Sequence, residues 1–330
     1  MREPSDESAG TPFEVACDES GSEGEHLIGA NTDVFAHGSV HLALDEAAAS
    51  VQEVRDRVRS PATEYKANHL LREKQRAVLE WILGADGPLL GQAHVHLTDK
   101  KAYVVDRLVL VLTGEEAPAT RAVLLQAGPA LGDRWQRLLH TGNDLLRSRS
   151  LLAAPMPVDA FFTALDEIVG PGELDGAAEA FATLRSGRER AEVYRSGVAP
   201  DPPVVPFLEP FFPALIRTIA YWSDRLDGPV AVVHDETNTL TSERLEHVRR
   251  IAGPALASFE RVDSTDDARV QLADFLAGVA RKLASDALGG RADQPMVELL
   301  RPYVDPASVW GDLLSGAQLG LPAPKVATRG

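Results

Sequence analysis

A single cysteine, Cys17, stands in a chain of 330 residues. One thiol excludes an intramolecular disulfide framework and any zinc site built on cysteines. Lysine is scarce too, supplying six of the 33 basic residues. No apolar run approaches the ~20 residues that span a bilayer. The opening residues, Met1 to Glu7, are polar and acidic, with no apolar segment of the signal-peptide kind. These absences give the expectation of a soluble, cytoplasmic protein with no membrane partner. Three motifs are missing as well: Gly-x-x-x-x-Gly-Lys, Gly-x-Gly-x-x-Gly after a strand, and Gly-x-Ser-x-Gly. ATP hydrolysis, dinucleotide binding and serine hydrolysis therefore lack support.

What is present is an ordinary globular balance, 44% hydrophobic and 25% charged. The formal net charge is −16. That is a poor footprint for nonspecific binding of a long polyanion, which relies on basic surface. Net charge does not exclude a local basic groove, and arginine is the better phosphate ligand. Two stretches are locally basic: Arg121 to Ser150, and the cluster Arg185, Arg188, Arg190 and Arg195.

Along the chain, residues 1–12 read as a disordered tail. Strands are expected at Phe13–Cys17, within Asp33–Leu44, within Gly91–Val105 and at Pro229–His234, the clearest buried run. Glu260–Ser264 is a candidate short strand. Helices are expected at Asp45–Val58, Leu70–Leu83, Phe207–Leu226, Ser242–Phe259 apart from Gly253-Pro254, and Val270–Leu288. From Thr113 to Tyr194 the pattern is helical throughout. Strands alternating with helices predict an α/β sheet covered by helices, interrupted by a large helical insertion.

Acids at strand ends are the informative feature. Asp18 follows an apolar strand and precedes Glu19-Ser20-Gly21; Asp235 follows another and precedes Glu236. The carboxyl ends of strands are where α/β sheets present ligands. Asp274 lies in Val270-Gln271-Leu272-Ala273-Asp274, a helix that is otherwise nearly all apolar. An ionised carboxylate there is costly to bury without a partner. Glu64 and Lys66 sit just before a helix, where Glu64 could act as a cap.

These segments occur in an order that resembles one bacterial family, domain of unknown function 3800, within the ribonuclease H-like superfamily. The opening Asp18-Glu19-Ser20-Gly21 and the Gln271-Leu272-Ala273-Asp274 helix are the more specific marks, and Glu64-x-Lys66 is looser. The resemblance covers residues 13–112 and 205–290 as a ribonuclease H-like core, leaving 113–204 as the insertion and 291–330 as a C-terminal extension. It implies a mixed β-sheet carrying an acidic cluster for two Mg2+ or Mn2+ ions. Asp18, Glu64, Asp235 and Asp274 would be the metal and catalytic ligands, with Glu19, Ser20, Lys66, Glu236 and Gln271 accessory. Hard oxygen ligands select such ions, and two of them can promote phosphodiester hydrolysis. The implied function is a metal-dependent nuclease acting on RNA or DNA. Two other readings stand beside it: a non-catalytic ribonuclease H-like binding module in a mobile-element or phage-defence system, and a hydrolase of small phosphorylated metabolites. Oligomeric state is not legible.

Three features are set aside as structural. His94 and His96 share one strand face, but no third metal ligand is evident beside them. His234 and Cys17, each adjacent to a candidate acid, are expected to point to the opposite side of the sheet.

Overall fold

The computed structural model describes residues 11–59, 66–148, 157–168, 176–198 and 203–323. Its strands are β1 (Phe13–Ser20), β2 (Val34–Val40), β3 (Ala93–Asp99), β4 (Val230–Asp235) and β5 (Leu256–Val262). Its helices are α1 (Leu44–Val58), α2 (Ala67–Leu70), α3 (Arg76–Leu83), α4 (Lys100–Thr113), α5 (Pro118–Ala127), α6 (Asp133–Leu146) and α7 (Pro157–Ile168). They continue with α8 (Ala178–Arg185), α9 (Arg188–Val198), α10 (Phe211–Leu226), α11 (Ser242–Ala252), α12 (Ala268–Leu288), α13 (Gln294–Leu300) and α14 (Leu313–Gln318).

The strands form one mixed sheet in the order β3-β2-β1-β4-β5. The first three are antiparallel neighbours, and β1, β4 and β5 run parallel. Helices cover both faces, as a sheet buried on two sides requires. On one face α12 packs against Ala16 and Val233 through Val270. On the other, α10 lays Phe211, Leu215, Ile219 and Trp222 over Val15, Cys17 and Val232. The β3 edge is also covered: Val304 and Val309 bridge in parallel to Val95 and Thr98. Covering an edge removes a row of unpaired backbone groups.

A second apolar core lies in the helical region. Tyr103, Leu108 and Leu112 of α4 pack with Trp135 and Leu139 of α6, Phe161 of α7 and Phe181 of α8. The β1–β2 loop is tied into it. Leu27 and Ile28 are buried there, and their backbone N–H groups both donate to Asn143 Oδ1 at 2.9 and 2.8 Å.

Two expected helices differ from the sequence reading. The 70–83 helix is broken: α2 ends at Leu70, a 3₁₀ turn occupies Glu73–Gln75, and α3 begins at Arg76. The break lets the buried Gln75 amide donate to Val58 O at 3.2 Å, satisfying a carbonyl at the end of α1. The helix expected to reach Phe259 ends at Ala252, and β5 starts at Leu256, four residues ahead of the strand expected at Glu260. As an edge strand β5 pairs only with β4 and exposes Ala257 and Ser258. It therefore lacks the apolar run that marks a buried strand.

Among the described residues, no helix is long and apolar enough to cross a membrane.

Candidate functional site

The carboxyl ends of β1 and β4 meet at the centre of the sheet. Cys17 lies opposite His234 in the parallel register. Asp18 and Asp235, one residue further on, therefore leave the sheet on the same side, the α12 side. On α12, Asp274 stands one turn beyond Val270, which packs on Ala16 and Val233 of that face. Two glycines set the approach. Gly38 is the register partner of Asp18 on β2, and a Cβ there would lie 2.7 Å from Ala273 O and 3.0 Å from Ala277 N. A Cβ on Gly278 would lie 2.2 Å from Ala67 Cβ. Glycine at these two points brings α12 against the sheet and α2 against α12. Gly38 was missed at the sequence level, although a glycine inside a strand is a known sign of close backbone approach.

Asp18 is buried and accepts the Glu19 backbone N–H at 2.7 Å. Burial, then the charges of Glu19, Asp274 and Asp235, hold its carboxyl well above the usual carboxylate range. Asp235 and Asp274 are half-buried, and Glu236 is exposed. Gln271 is buried one turn before Asp274. Ser20 accepts a hydrogen bond from Arg281 Nε at 2.9 Å. Lys66 precedes α2 and lies in electrostatic reach of Asp263. Glu64, the remaining expected ligand, lies outside the described residues. Among the described residues, no three His, Cys, Asp or Glu side chains are gathered tightly enough to ligate one ion as they stand. The donor set is nonetheless all hard oxygen, and the mutual repulsion on Asp18 is what a divalent cation would relieve. Their chemistry, though not their present spacing, suits such an ion.

Glu19 points to the α10 side, since side chains alternate along a strand. Its Oε2 lies 3.7 Å from His234 Nε2 and has no hydrogen-bond partner. Burial is the main cause that pushes its carboxyl up to about 7. Behind it runs a buried polar chain. His234 Nδ1 lies 2.9 Å from Asp235 O, which can only accept, so that nitrogen carries the proton. His234 Nε2 then accepts from His37 Nε2 at 3.2 Å, and His37 Nδ1 accepts from the Thr218 hydroxyl at 2.9 Å. Burial lowers the pKa of both imidazoles, that of His234 to about 4. They are neutral links in the α10-side core, on the side expected for His234. Cys17 lies on the same side, and burial pushes its thiol far up, leaving it inert.

A cleft of about 710 Å3 adjoins Asp235, lined by Glu236, Thr237, Asn238, Phe259 and Arg261 among others. Glu209 is buried within electrostatic reach of Glu19, and burial is the main cause that pushes its carboxyl up to about 7.

His94 and His96 do meet a third ionisable side chain, an acid. Asp305, fully buried, places Oδ2 3.1 Å from His94 Nε2 and 3.6 Å from His96 Nδ1. Arg217 donates to both its oxygens at 2.7 and 3.1 Å. The guanidinium occupies the carboxylate that a metal would need, so this cluster is a clamp on the C-terminal segment. Asp305 lies more than 200 residues from the two histidines and 88 from Arg217, so no local signal joined them.

The basic stretches of the helical region are largely engaged internally. Arg137 pairs with Glu167 at 2.9 Å, Arg185 with Asp166 at 2.9 Å, and Arg188 with Asp159 and Glu192. Arg121 and Arg195 donate to the carbonyls of Trp310 and Arg147.

Compared with family models, with curated proteins and with solved structures, the chain matches none.

Proposed function

We propose that the chain is a divalent-metal-dependent phosphodiesterase or nuclease of ribonuclease H-like architecture. One observation carries the reading: Asp18 is buried at a strand end and is electrostatically coupled to Asp235 and Asp274 from two other elements. The strand order, with an antiparallel β1–β2–β3 half and a parallel β1–β4–β5 half, supports the ribonuclease H-like assignment. Asp18, Asp235 and Asp274, with Glu64 as the fourth candidate, would hold Mg2+ or Mn2+. Such ions supply charge neutralisation and a more acidic water. The protein positions the three carboxylates by β1, β4 and α12 and excludes water from Asp18.

Calorimetric titration with Mn2+ tests this. Wild type should bind, and Asp18→Asn/Asp274→Asn should abolish binding while the fold is retained by circular dichroism. Hydrolysis of bis(p-nitrophenyl) phosphate should follow the same pattern. No Mn2+ binding by folded wild type would overturn the reading and favour a non-catalytic module.

The net charge of −16, with the arginines of the helical region internally engaged, favours a second reading of the substrate. A small phosphoester needs less basic surface than a long nucleic acid. Competition between a mononucleotide and a long oligonucleotide for hydrolysis separates the two.

A further inference from the structure

We propose that Arg281, anchored by Ser20, binds a single phosphate group of the substrate beside the Asp18, Asp235 and Asp274 carboxylates. This rests on the phosphoester reading of that site.

The placement comes from α12. Asp274, Gly278 and Arg281 fall on one stripe of the helix, at spacings of four and three residues. At 1.5 Å per residue Arg281 lies about 10 Å beyond Asp274 along the axis. On β1, Ser20 is two residues past Asp18 and therefore on the same side of the sheet. A Cβ on Gly278 would lie 4.0 Å from Ser20 Oγ, and Arg281 Nε donates to that oxygen at 2.9 Å. Strand and helix thus run together from the carboxylates to the guanidinium. Gly21 turns the chain away with φ +85°, and a Cβ there would lie 2.9 Å from Arg281 Cδ and 2.5 Å from Val34 O. The turn needs glycine for its backbone, and the Arg281 stem uses the space.

The charge is the second strand of the argument. Arg281 is half-buried, and among the described residues no carboxylate lies within ion-pair distance of it. Its charge is therefore not neutralised by a direct ion pair, unlike that of Arg269, which is buried against Glu14 and Asp267. The nearby acids are engaged elsewhere. Glu23 accepts from Lys100, Thr32 and the Asn31 N–H, and Asp33 accepts from Ser285 at 2.5 Å. A guanidinium held by one neutral hydroxyl keeps further N–H donors for an anion, and its planar fork matches two phosphate oxygens. The carboxylates alone would repel a phosphate; a metal ion and Arg281 would attract it from two sides.

Inorganic phosphate is the probe, titrated calorimetrically into the full chain with Mg2+ present. Arg281→Gln should weaken binding about tenfold or more, the range of a lost charged hydrogen-bonding partner. Arg281→Lys should recover part of the loss, and Ser20→Ala should weaken binding by a smaller factor. The same comparison without metal, in Asp18→Asn/Asp274→Asn, isolates Arg281 from the metal site; there Arg281→Gln should again weaken phosphate binding. Mn2+ affinity, read separately, should be retained in Arg281→Gln. Arg281-dependent phosphate binding without any Mn2+ binding would sink the metal reading and leave this one standing. Equal phosphate affinity in wild type and a folded Arg281→Gln protein, or none in wild type, would overturn the Arg281 assignment.

Discussion

Two buried carboxylates, Asp305 and Asp18, are treated in opposite ways by the same fold. Asp305 is enclosed by a bidentate guanidinium, two imidazoles and the Ala307 N–H. Together they outweigh burial and hold its carboxyl far below the usual range. Asp18 is enclosed by other carboxylates and is held well above it. Burial is common to both; the difference is whether the chain supplies the counter-charge. Where it does, the acid stabilises a tertiary contact. Where the described residues supply none, as around Asp18, burial and neighbouring acids both raise the carboxyl, a pattern that concentrates at functional sites.

The largest effect should come from removing the internal cation. Arg217→Met should destabilise the protein by about 3 kcal/mol, read by chemical denaturation, because Asp305 stays buried without its pair. The Arg217 charge also lowers the His94 pKa. In the variant the His94 resonance should titrate at higher pH, and an unchanged titration would break the comparison. Next, Asp18→Asn should stabilise the metal-free protein by about 1–3 kcal/mol at pH 8, since it removes one charge from a repelling group. The signs with pH are opposite at the two sites. Asp305, with a depressed folded value, contributes stability above the unfolded pKa of about 3.9 that is lost as pH falls. Asp18, with a raised folded value, binds a proton more tightly when folded. Its contribution is present at low pH and is lost as pH rises through the folded pKa. Wild type should therefore lose stability on the alkaline limb, which Asp18→Asn should flatten, and on the acid limb, which Arg217→Met should flatten by releasing Asp305.

Gly38→Ala sharpens the geometry. Its methyl would meet Ala273 O and the Ala277 N–H, so α12 must shift, at a cost of about 1–2 kcal/mol. Mn2+ affinity should fall with it, because Asp274 moves with the helix. The smallest effect is expected at Glu209. Its folded value of about 7 against an ordinary 4.5 means that stability falls as pH rises between those values. A shift of that size corresponds to about 3 kcal/mol at pH 8, and Glu209→Gln, which still buries a polar amide, should recover only part of it at pH 8 and nothing at pH 4.

The strands that carry Asp18 and Asp235 were legible in the sequence because each is a short apolar run ending in an acid. Asp274 was legible because it interrupts an apolar helix. Asp305 and Arg281 were not. Each matters only through a partner more than 80 residues away, and a single sequence offers no signal for such pairs. β5 was misread in part because its identity comes from pairing with β4, and tertiary context overrides local propensity.

The sheet places β4 directly beside β1, although more than 200 residues separate them in the chain. That order has a consequence for synthesis. A ribosome adding about 5–20 residues per second would emit Asp18 roughly 13–50 s before Asp274. For most of that interval β1 has its antiparallel neighbour β2 and lacks its parallel one, β4. Such long-range closure is slow. The three carboxylates therefore come together among the last events of folding, after the helical region between them has been made.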